Sequence, residues 1–477
     1  MKKELGITSD KFKETSEWYE QVCLKSRVAD FGDIKGTIVI RPRGYYMWEQ
    51  VQKYFNDNIL TKFNVDNCYF PLFIPESFFK KEAEHAKGFA PELAWITTAT
   101  DTGEEEKAII RPTSETIIVD SFRKWLRTYR DLPIKVNQWA NVVRWEVSQT
   151  KLFLRGREFL WQEGHCIYKT REECEKDVIG ILEAYEDLCK NVLAVPVIKG
   201  RKTPGDKFPG AVDTYCIEAL MPDGKALQMG TSHYLGQGFM KVFGVKYMGE
   251  DEKEHEPHYN SWGVSTRLLG ATIMTHSDNK GLILPPGLVK NKIVIVPALK
   301  KDNAERVLKY AEEVKKTLSK FNPSIDDREG YSMGFKINDA ELVGTPMVII
   351  VGDKEIDDKT VTVKIRDEDA KEVVKLKDLD PKSIFAEMHE RLYQKAKAFQ
   401  DERVVEVSTF EELKKQGQAG NFVKAHYLPS DAESEESLKA EAGGVGARCI
   451  VTDEKSKGKC IYTGKETDIV VYFARNY

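Results

Sequence analysis

The sequence predicts an α+β protein of three domains, the first built on an antiparallel sheet and the other two of α/β type. The chain has 477 residues, which is too long for one core because domains average about 150 residues. Up to residue 285, aromatic-rich strand patterns follow one another, whereas strand and helix patterns alternate beyond it. Hydrophobic residues at 41% and charged residues at 31% are typical of globular proteins.

The first domain, residues 1–285, contains two strand patterns joined by the polar loop SQTKLFLRG. In NQWANVVRWEV, side-chain alternation puts Arg144 and Glu146 on one face. In REFLWQEGH, the same alternation groups another set of side chains on one face: Arg157, Phe159, Trp161, Glu163 and His165. We therefore expect an antiparallel hairpin that carries arginines, carboxylates and aromatic rings together.

A third arginine, Arg267, stands where the strand pattern of WGVSTRLLGATIMTHSD passes into an apolar helix. Arginine binds carboxylate or phosphate in a bidentate way. Alternatively, Arg144 and Glu146 form a surface pair and Arg267 is structural. The sequence has neither a G-x-x-x-x-G-K-[ST] loop nor a G-x-G-x-x-G turn after a strand, and AGGVGARC indicates a turn. We predict ATP-dependent activation of a carboxylic acid, with side chains holding the ATP.

The second domain, residues 286–390, opens after the Gly and Pro residues of SDNKGLILPPGL. The buried-strand pattern NKIVIVPALKK leads into the helical DNAERVLKYAEEVKKTLSKF, and PMVIIVGDKEI and TVTVKI follow as strands. The helical DPKSIFAEMHERLYQKAKAFQDERV then connects to the third domain, residues 400–477. This alternation is typical of small α/β domains.

Charge, cysteine content and hydropathy indicate the cellular compartment in which the protein works. The net charge of -4 argues against a general polyanion binder, although a local basic face remains compatible with nucleic acid. The eight scattered cysteines do not form a disulfide framework. The start of the sequence lacks the apolar run of a signal peptide, and no run reaches the roughly 18 residues of a membrane helix. We expect a cytoplasmic protein without a membrane association.

These segments resemble the three motifs of class II aminoacyl-tRNA synthetases, in particular the prolyl-tRNA synthetases of the archaeal and eukaryotic type. KGTIVIRPRGYYMWEQVQKYF with NCYFPLFIP matches motif 1, RWE with RGREF matches motif 2, and STRLLG matches motif 3. The resemblance covers the whole chain. It implies a catalytic domain at 1–285, an anticodon-binding domain at 286–390, a C-terminal domain at 400–477 and a homodimer formed through motif 1.

The resemblance also implies the ATP site. Arg144 bridges the amino-acid carboxylate and the α-phosphate, Glu146 reads the adenine amino group, and Phe159 stacks on the ring. Arg267 covers the other adenine face and reaches the γ-phosphate. Three further residues match ATP contacts of the family: Arg155, Gln228 and Thr231. Mg²⁺ completes the neutralisation of the negative charge on the ATP phosphates. We expect no protein group to act as a general base, because positioning and charge stabilisation supply most of the rate.

Proline is the implied amino acid, and tRNA(Pro) its acceptor. Thr113 and Glu115 in RPTSET match the loop that receives the secondary ammonium group. Trp161, His233 and Ser265 match other residues of the family's proline pocket; a histidine such as His233 is by itself more often a core residue, but its context TSHYLGQ favours the pocket. Alanine is smaller, so we expect its misactivation. The stretch between motifs 2 and 3 is too short for the editing domain of many bacterial-type relatives.

Two further expectations concern metal and alternative functions. Relatives bind zinc through four cysteines, but the corresponding positions here fall near Leu428 and Glu433 and in Cys460-Ile-Tyr-Thr463, so no structural zinc is expected. Another class IIa synthetase, for threonine, histidine or glycine, would carry similar ATP motifs. A catalytically silent paralogue that binds tRNA is the remaining alternative.

Overall fold

The computed structural model describes residues 6–78, 93–96 and 107–477. The first five residues of the amino-terminal segment, used above to judge the compartment, lie outside this description. No helix in the described part of the chain is both long and apolar enough to cross a membrane. All eight cysteines are free thiols.

A large antiparallel sheet forms the centre of the first domain, as predicted. Its strands, numbered along the chain, are β1 (Ile134–Val143), β2 (Glu158–Tyr168), β3 (Ile198–Arg201), β4 (Asp213–Leu220), β5 (Lys225–Gly236) and β6 (His258–Ser265). Their spatial order is β1, β2, β6, β5, β4, β3, and every neighbouring pair is antiparallel. The short strand Asp66–Asn67 adds to the outer edge of β1 in parallel.

Three helices support this sheet: α1 (Glu115–Trp125), α2 (Arg171–Leu188) and α3 (Arg267–His276). Helix α2 begins with a capping box in which Thr170 and Glu173 satisfy each other's backbone N–H groups. The apolar side of the sheet packs on α2 and on the amino-terminal helices, around rings such as Trp18, Trp48 and Tyr185. The opposite side of β2 stays open. Smaller elements complete the domain: helices Thr15–Lys25, Pro42–Tyr54, Thr61–Phe63 and Gly238–Phe243, and strands Ala29–Phe31, Ile38–Ile40, Phe73–Pro75, Ala108–Ile110, Tyr247–Met248 and Glu254–His255.

The second domain has the predicted alternation of strands and helices around its own core. Its five-stranded sheet has the order Ser324–Ile325, Ile293–Pro297, Met347–Val351, Thr360–Ile365 and Lys371–Lys375. The first three of these strands are parallel and the last two antiparallel. The helices are Ala304–Thr317, Met333–Leu342 and Asp353–Asp358. The connecting helix, Pro381–Asp401, packs Phe385, Met388 and Leu392 into the core of this domain and then connects to the final segment.

The final segment extends the central sheet of the first domain, which the sequence did not predict. Its elements are strands Val404–Glu406, Phe422–His426, Gly446–Ile450, Gly458–Lys459, Glu466–Thr467 and Val470–Asn476, and helices Phe410–Gln418 and Ala432–Glu441. Ile450 pairs with Arg201 of β3, and Arg475 pairs with Lys225 of β5. Hydrophobic patterns identify a strand but not its partner, so this continuity could not be read from the sequence.

Candidate active site

A cavity of about 430 Å³ lies on the open side of the sheet, over β2, β5 and β6. All of the predicted site residues except Arg155 line it: Thr113, Glu115, Arg144, Glu146, Phe159, Trp161, Gln228, Thr231, His233, Ser265 and Arg267. These residues come from five separate segments of the chain. The structure thus brings the predicted motifs together in one cavity.

The strand predicted to carry Arg144 and Glu146 ends earlier than expected. β1 stops at Val143, and the chain turns through Trp145 and Glu146. The ladder nevertheless continues for one bond, because the Arg144 N–H donates to the Arg157 carbonyl at 2.7 Å. The expectation that one strand face holds both side chains was wrong; a turn at the strand's end brings both to the cavity. Beyond the end of β1 the chain is free to turn, and the turn places the side chains of both Arg144 and Glu146 at the cavity.

Arg144 lies across the aromatic side chains of β2. Its guanidinium carbon is 5.3 Å from the ring centre of Phe159 and 5.7 Å from that of Trp161. Its Nε donates to the Pro112 carbonyl at 3.3 Å. Burial lowers the pKa of Arg144, while Glu146, Glu115 and Glu163 oppose that shift. The two aromatic rings and the Pro112 carbonyl therefore orient the guanidinium of Arg144 without neutralising its positive charge.

Arg267 begins α3, at the strand and helix junction that the sequence predicted. Its Nε donates to the Leu154 carbonyl and its Nη1 to the Gln228 carbonyl, both at 3.1 Å. Burial, followed by the positive charge of Arg144, lowers the pKa of Arg267 to about 10. Within the described ranges, no carboxylate lies within ion-pair distance of Arg144 or Arg267. Two neighbouring guanidinium groups with neutral partners are suited to an anion that carries several charges.

The alternating face of β2 is confirmed for the residues within the strand. Phe159, Trp161, Glu163 and His165 all line the cavity. The rings of Phe159 and Trp161 meet edge to face, with centres 6.1 Å apart. Arg157 lies just before the strand and packs its guanidinium over Trp145 at 4.6 Å. The aromatic rings give the middle of the cavity a flat apolar wall.

The cavity also has an acidic end, which carries the carboxylate of Glu115 at the first position of α1 and lies near enough to Arg144 for Glu115 to oppose the lowering of its pKa. Only 5% of Glu115 is exposed, and its side chain accepts a hydrogen bond from the Thr113 hydroxyl. Burial raises the pKa of Glu115. A desolvated carboxylate with one hydroxyl partner gains most from a cation that brings both charge and hydrogen-bond donors.

The second buried carboxylate, Glu163, is by contrast fully engaged. It accepts hydrogen bonds from Ser114 Oγ at 2.5 Å and from Gln138 Nε2 at 2.6 Å. His165 Nε2 lies 3.0 Å from its other oxygen. The Nδ1 atom of His165 in turn lies 2.5 Å from the Tyr259 hydroxyl. Glu163 therefore holds the floor of the cavity together, and Glu115 is the carboxylate left for a ligand.

His233 forms part of the side wall of this acidic end. Its Nδ1 lies 3.0 Å from Thr214 Oγ1, and its ring centre is 4.8 Å from that of Phe208. Burial lowers the pKa of His233 to about 3, so the imidazole is neutral at physiological pH. The ring closes the cavity sterically and adds no charge. The structure places His233 in the cavity wall, in agreement with its motif context.

Some wall residues escaped the sequence analysis: Lys202, Asp206, Phe208, Thr214 and Ser261. Thr214 and Ser261 lie on strands, where alternation from a known site residue could have found them. The others follow β3 in a loop that has no periodic signal. The Ser261 hydroxyl and the Trp161 indole N–H are buried and have no hydrogen-bond partner in the described part of the protein. Both groups are available to a ligand.

Arg155 is the predicted residue that the structure leaves outside the cavity. It is exposed, and it lines a separate hollow of about 20 Å³ together with Phe159 and Thr266. It is close enough for its charge to lower the pKa of Arg267. Arg155 thus stands beside the cationic end without entering it.

Among the described residues, no set of three histidine, cysteine, aspartate or glutamate side chains is placed to enclose a metal ion. In the final segment, Cys460 Sγ accepts a hydrogen bond from the Thr463 N–H at 3.4 Å.

Comparison with known proteins gives matches along the whole chain. The family described as "tRNA synthetase class II core domain (G, H, P, S and T)" matches residues 97–276. The families described as "Anticodon binding domain" and "Prolyl-tRNA synthetase, C-terminal" match residues 292–382 and 410–477.

Individual proteins and solved structures match this chain over nearly the full length of both. The chain is 44% identical over 467 residues to a proline–tRNA ligase of Alkaliphilus oremlandii, covering 97% of this chain and 96% of the relative. It is 41% identical to a proline–tRNA ligase of Bacteroides fragilis, with 100% of both chains covered. Prolyl-tRNA synthetase of Cryptosporidium parvum complexed with L-proline and AMP is 37% identical, with a TM-score of 0.91 over 99% of this chain and 100% of that one. The same enzyme complexed with halofuginone and AMPPNP gives a TM-score of 0.92 over 100% and 98%.

Proposed function

This chain belongs to the prolyl-tRNA synthetase family, and on that basis we propose that it activates L-proline with ATP and transfers the proline to the 3′ end of tRNA(Pro). One observation carries the proposal for this molecule. The cavity brings together two guanidinium groups, Arg144 and Arg267, that have no carboxylate at ion-pair distance among the described residues, and a buried carboxylate, Glu115. A zwitterionic amino acid joined to a nucleotide matches both kinds of group at once.

The cationic end suits the triphosphate and the base of ATP. Arg144 contacts the substrate carboxylate and the α-phosphate, and Arg267 contacts the γ-phosphate from the start of α3. Phe159 stacks on the adenine ring, and Glu146 accepts its amino group. Gln228 and Thr231 add polar contacts from β5, and Arg155 reaches the terminal phosphate from its exposed position beside the cavity.

The chemistry requires positioning more than covalent help from the protein. An oxygen of the proline carboxylate attacks the α-phosphorus, the bond from that phosphorus to the bridging oxygen breaks, and pyrophosphate leaves. A ribose hydroxyl at the 3′ end of tRNA then attacks the carbonyl carbon of prolyl-adenylate. AMP leaves with the electron pair of the broken bond. Arg144 and Arg267 stabilise the negative charge that builds on phosphate oxygens.

The acidic end suits a secondary ammonium group beside a compact ring. Glu115 and Thr113 receive the two N–H bonds of that group. Trp161 and neutral His233 enclose the pyrrolidine ring, and Ser265 contributes a hydroxyl near Arg267. Because Glu163 already has three partners and Asp206 pairs with Lys202, Glu115 is the carboxylate of this end that we assign to the ammonium group.

Mg²⁺ would bind the phosphates and supply charge neutralisation when ATP is present. It commonly uses phosphate oxygens and waters together with one or two protein carboxylates. We expect no zinc in the final segment, because only Cys460 of the four family cysteines is present.

We assign residues 1–285 to catalysis, 286–390 to the anticodon and 400–477 to a C-terminal domain related to zinc-binding ones. In the second domain, exposed Tyr331 stacks on Phe335 with ring centres 4.6 Å apart, and Arg328 lies 5.2 Å over Tyr331. Unpaired RNA bases are commonly recognised by stacking of this kind. The buried free thiols are consistent with a reducing compartment, and we propose the cytoplasm.

We propose a homodimer formed through motif 1. The hairpin of Ala29–Phe31 and Ile38–Ile40 leaves Phe31, Ile34 and Val39 more than half exposed. Exposed apolar residues clustered on one short hairpin are typical of a surface that another protein covers. A second copy is the partner that the family suggests.

Alanine should also be activated, because a pocket built for proline cannot exclude a smaller side chain sterically. The described chain between β2 and β6 is used for α2 and for three strands of the same sheet. We therefore propose that this chain does not hydrolyse alanyl-tRNA in cis. Hydrolysis of alanyl-tRNA(Pro) by the purified protein would contradict this.

The test is ATP–pyrophosphate exchange with single amino acids, followed by charging of tRNA. Exchange should depend on proline, proceed more weakly with alanine, and be absent with threonine, histidine and glycine. Exchange with one of those three would favour another class IIa synthetase. Binding of tRNA without exchange or charging would identify a silent paralogue.

A further inference from the structure

The loop from Lys202 to Pro209 forms one wall of the acidic end of the cavity. Lys202, Asp206 and Phe208 all face the cavity. Phe208 packs against His233, and its N–H donates to Thr214 Oγ1 at 3.0 Å. The position of this loop therefore sets the position of the ring that contacts the amino-acid pocket.

The final segment of the chain contacts this loop directly through Glu435. Glu435 belongs to helix Ala432–Glu441. Its carboxylate accepts hydrogen bonds from Thr203 Oγ1 at 2.6 Å and from the Gly205 N–H at 3.4 Å. Thr203 is 1% exposed, so this hydroxyl is shielded from water. A Cβ on Gly205 would lie 2.7 Å from Glu435 Oε2 and 2.9 Å from the Cα of Ala432, which shows how closely the loop approaches the start of this helix.

A second contact reaches the same loop through a buried chain of alternating charges. Arg448 Nη2 donates to both oxygens of Glu218, at 2.9 and 3.2 Å. Lys202 Nζ donates to the same carboxylate at 2.9 Å and to Asp206 at 2.8 Å. The Glu218 side chain is 0% exposed and that of Lys202 is 2% exposed. Removing one member of a buried network of charges leaves the other members unpaired. Arg448 of the final segment therefore helps to hold Lys202, the first residue of the loop, through Glu218.

We infer that Glu435 and Arg448 are positioning residues through which the C-terminal domain fixes the loop 202–209 against the proline pocket. Neither side chain touches the cavity, since neither lines it. They act through Thr203 and Gly205 in one case and through Glu218 and Lys202 in the other. The inference rests on the proposed function only in identifying the pocket's ligand as proline.

The primary test compares Glu435→Ala with Glu436→Ala in the full-length chain. Glu436 lies on the same helix, is exposed and pairs only with Lys439 in the described structure. Loss of hydrogen bonds to a half-buried charged acceptor should raise the KM for proline about tenfold. The kcat and the KM for ATP should stay within about twofold. Glu435→Gln, which keeps one acceptor oxygen, should recover most of the loss.

The loop side of the same contact provides an independent check. Thr203→Val removes the hydroxyl and preserves the shape of the side chain. If the contact acts as a unit, the double variant of Thr203→Val with Glu435→Ala should be no worse than the more impaired single variant. Full additivity of the two changes in KM would overturn the inference for Glu435.

Arg448→Lys tests the second contact without removing its charge. Lysine lacks the planar guanidinium that brings Nη2 within reach of both oxygens of Glu218, so the KM for proline should rise several-fold. An unchanged KM for proline, or a loss of kcat and of affinity for ATP to the same extent, would overturn the role of Arg448. The second result would indicate general distortion of the site.

Hydrogen–deuterium exchange over residues 203–208, without any substrate, separates this inference from the proposed function. Backbone exchange there should be faster in Glu435→Ala than in the parent and unchanged in Glu436→Ala. Equal exchange in all three proteins would overturn the positioning role. Absence of proline-dependent activity in the parent would overturn the proposed function instead, while the exchange data still decide whether the loop is held.

Discussion

Buried arginines have different surroundings in the cavity and in the second domain. Arg366 donates to both oxygens of Asp278, at 2.6 and 3.0 Å, and to the carbonyls of Leu282 and Glu341. Arg391 of the connecting helix, which is partly exposed, is bidentate on Asp367. Among the described residues, Arg144 and Arg267 have only carbonyls and rings as partners. A buried charge that already has its counter-ion holds domains together, whereas one without it is kept for a ligand.

Removing Arg144 should produce the largest functional effect. Arg144→Ala takes away the group that joins the amino-acid carboxylate to the α-phosphate, and no neighbouring cation can replace both contacts. We expect proline-dependent pyrophosphate exchange to fall by at least about 10³-fold. Thermal unfolding should change little, because no ion pair is broken. Exchange within tenfold of the parent would contradict the assignment.

The matched variant in the second domain should show the opposite pattern. Arg366→Met leaves Asp278 and two carbonyls without their donor, at the contact between the first and second domains. We expect the free energy of unfolding to fall by about 2 kcal/mol. Denaturant titration measures this loss, and exchange by the remaining folded protein should stay near the parent level. A stable Arg366→Met protein without exchange activity would remove the distinction between the two arginines.

Glu115→Gln should weaken the acidic end by a smaller factor. Loss of the charge that pairs with the ammonium group should raise the KM for proline about 10- to 100-fold. Since burial raises the pKa of Glu115 above its ordinary 4.5, protonation on acidification should also raise this KM in the parent. The variant has no such group, so its KM should not rise over the same pH range. Parallel pH profiles would show that another group binds the ammonium.

Phe159→Leu should affect ATP and leave proline affinity nearly unchanged. Stacking of a base on an aromatic ring contributes about 1 to 3 kcal/mol, so the KM for ATP should rise about tenfold. The change also removes a ring that lies under Arg144. Exchange kinetics at varied ATP and at varied proline distinguish the two effects. An equal rise in both KM values would mean that the ring mainly orients Arg144.

Tyr331→Ala should give the smallest effect, confined to tRNA. Tyr331 is 49% exposed and lies far along the chain from the cavity residues. We expect the KM for tRNA(Pro) to rise several-fold, with proline-dependent exchange unchanged because that step needs no tRNA. Lys359→Ala, an exposed change in the same domain, is the control. Equal effects of the two substitutions would leave Tyr331 without a specific role.

The part of this site that lies on regular elements could be predicted from the sequence. Alternation along β2 correctly grouped Phe159, Trp161 and Glu163, and the strand-to-helix junction correctly located Arg267. The turn that carries Glu146 was mistaken for strand, because the apolar residues Trp145 and Val147 continue the alternation after the ladder has ended. Periodicity reports a pattern of burial, and it does not report where hydrogen bonding stops.

Contacts between distant segments could not be predicted at all. The pairing of Ile450 with Arg201, and the bond from Thr203 to Glu435, join parts of the chain that share no local pattern. The same limit applies to the two carboxylates. Residue patterns alone do not distinguish Glu115 from Glu163; the family resemblance points to Glu115, and the hydrogen-bond partners of Glu163 agree with that choice.

One measurement tests most directly whether the cavity's unpaired charges are kept for substrate: the melting temperatures of the parent and of Glu115→Gln, each alone and with a saturating nonhydrolysable prolyl-adenylate analogue. Burial that raises the pKa of Glu115 favours the protonated folded form. Its contribution to stability is therefore greatest below 4.5 and is lost as pH rises through the folded pKa. At neutral pH the unliganded variant should melt higher than the parent, by about 2 °C. With the analogue bound, the order should reverse, because only the parent pairs a carboxylate with the ammonium group. A variant that melts lower than the parent without ligand, or higher with it, would contradict the account.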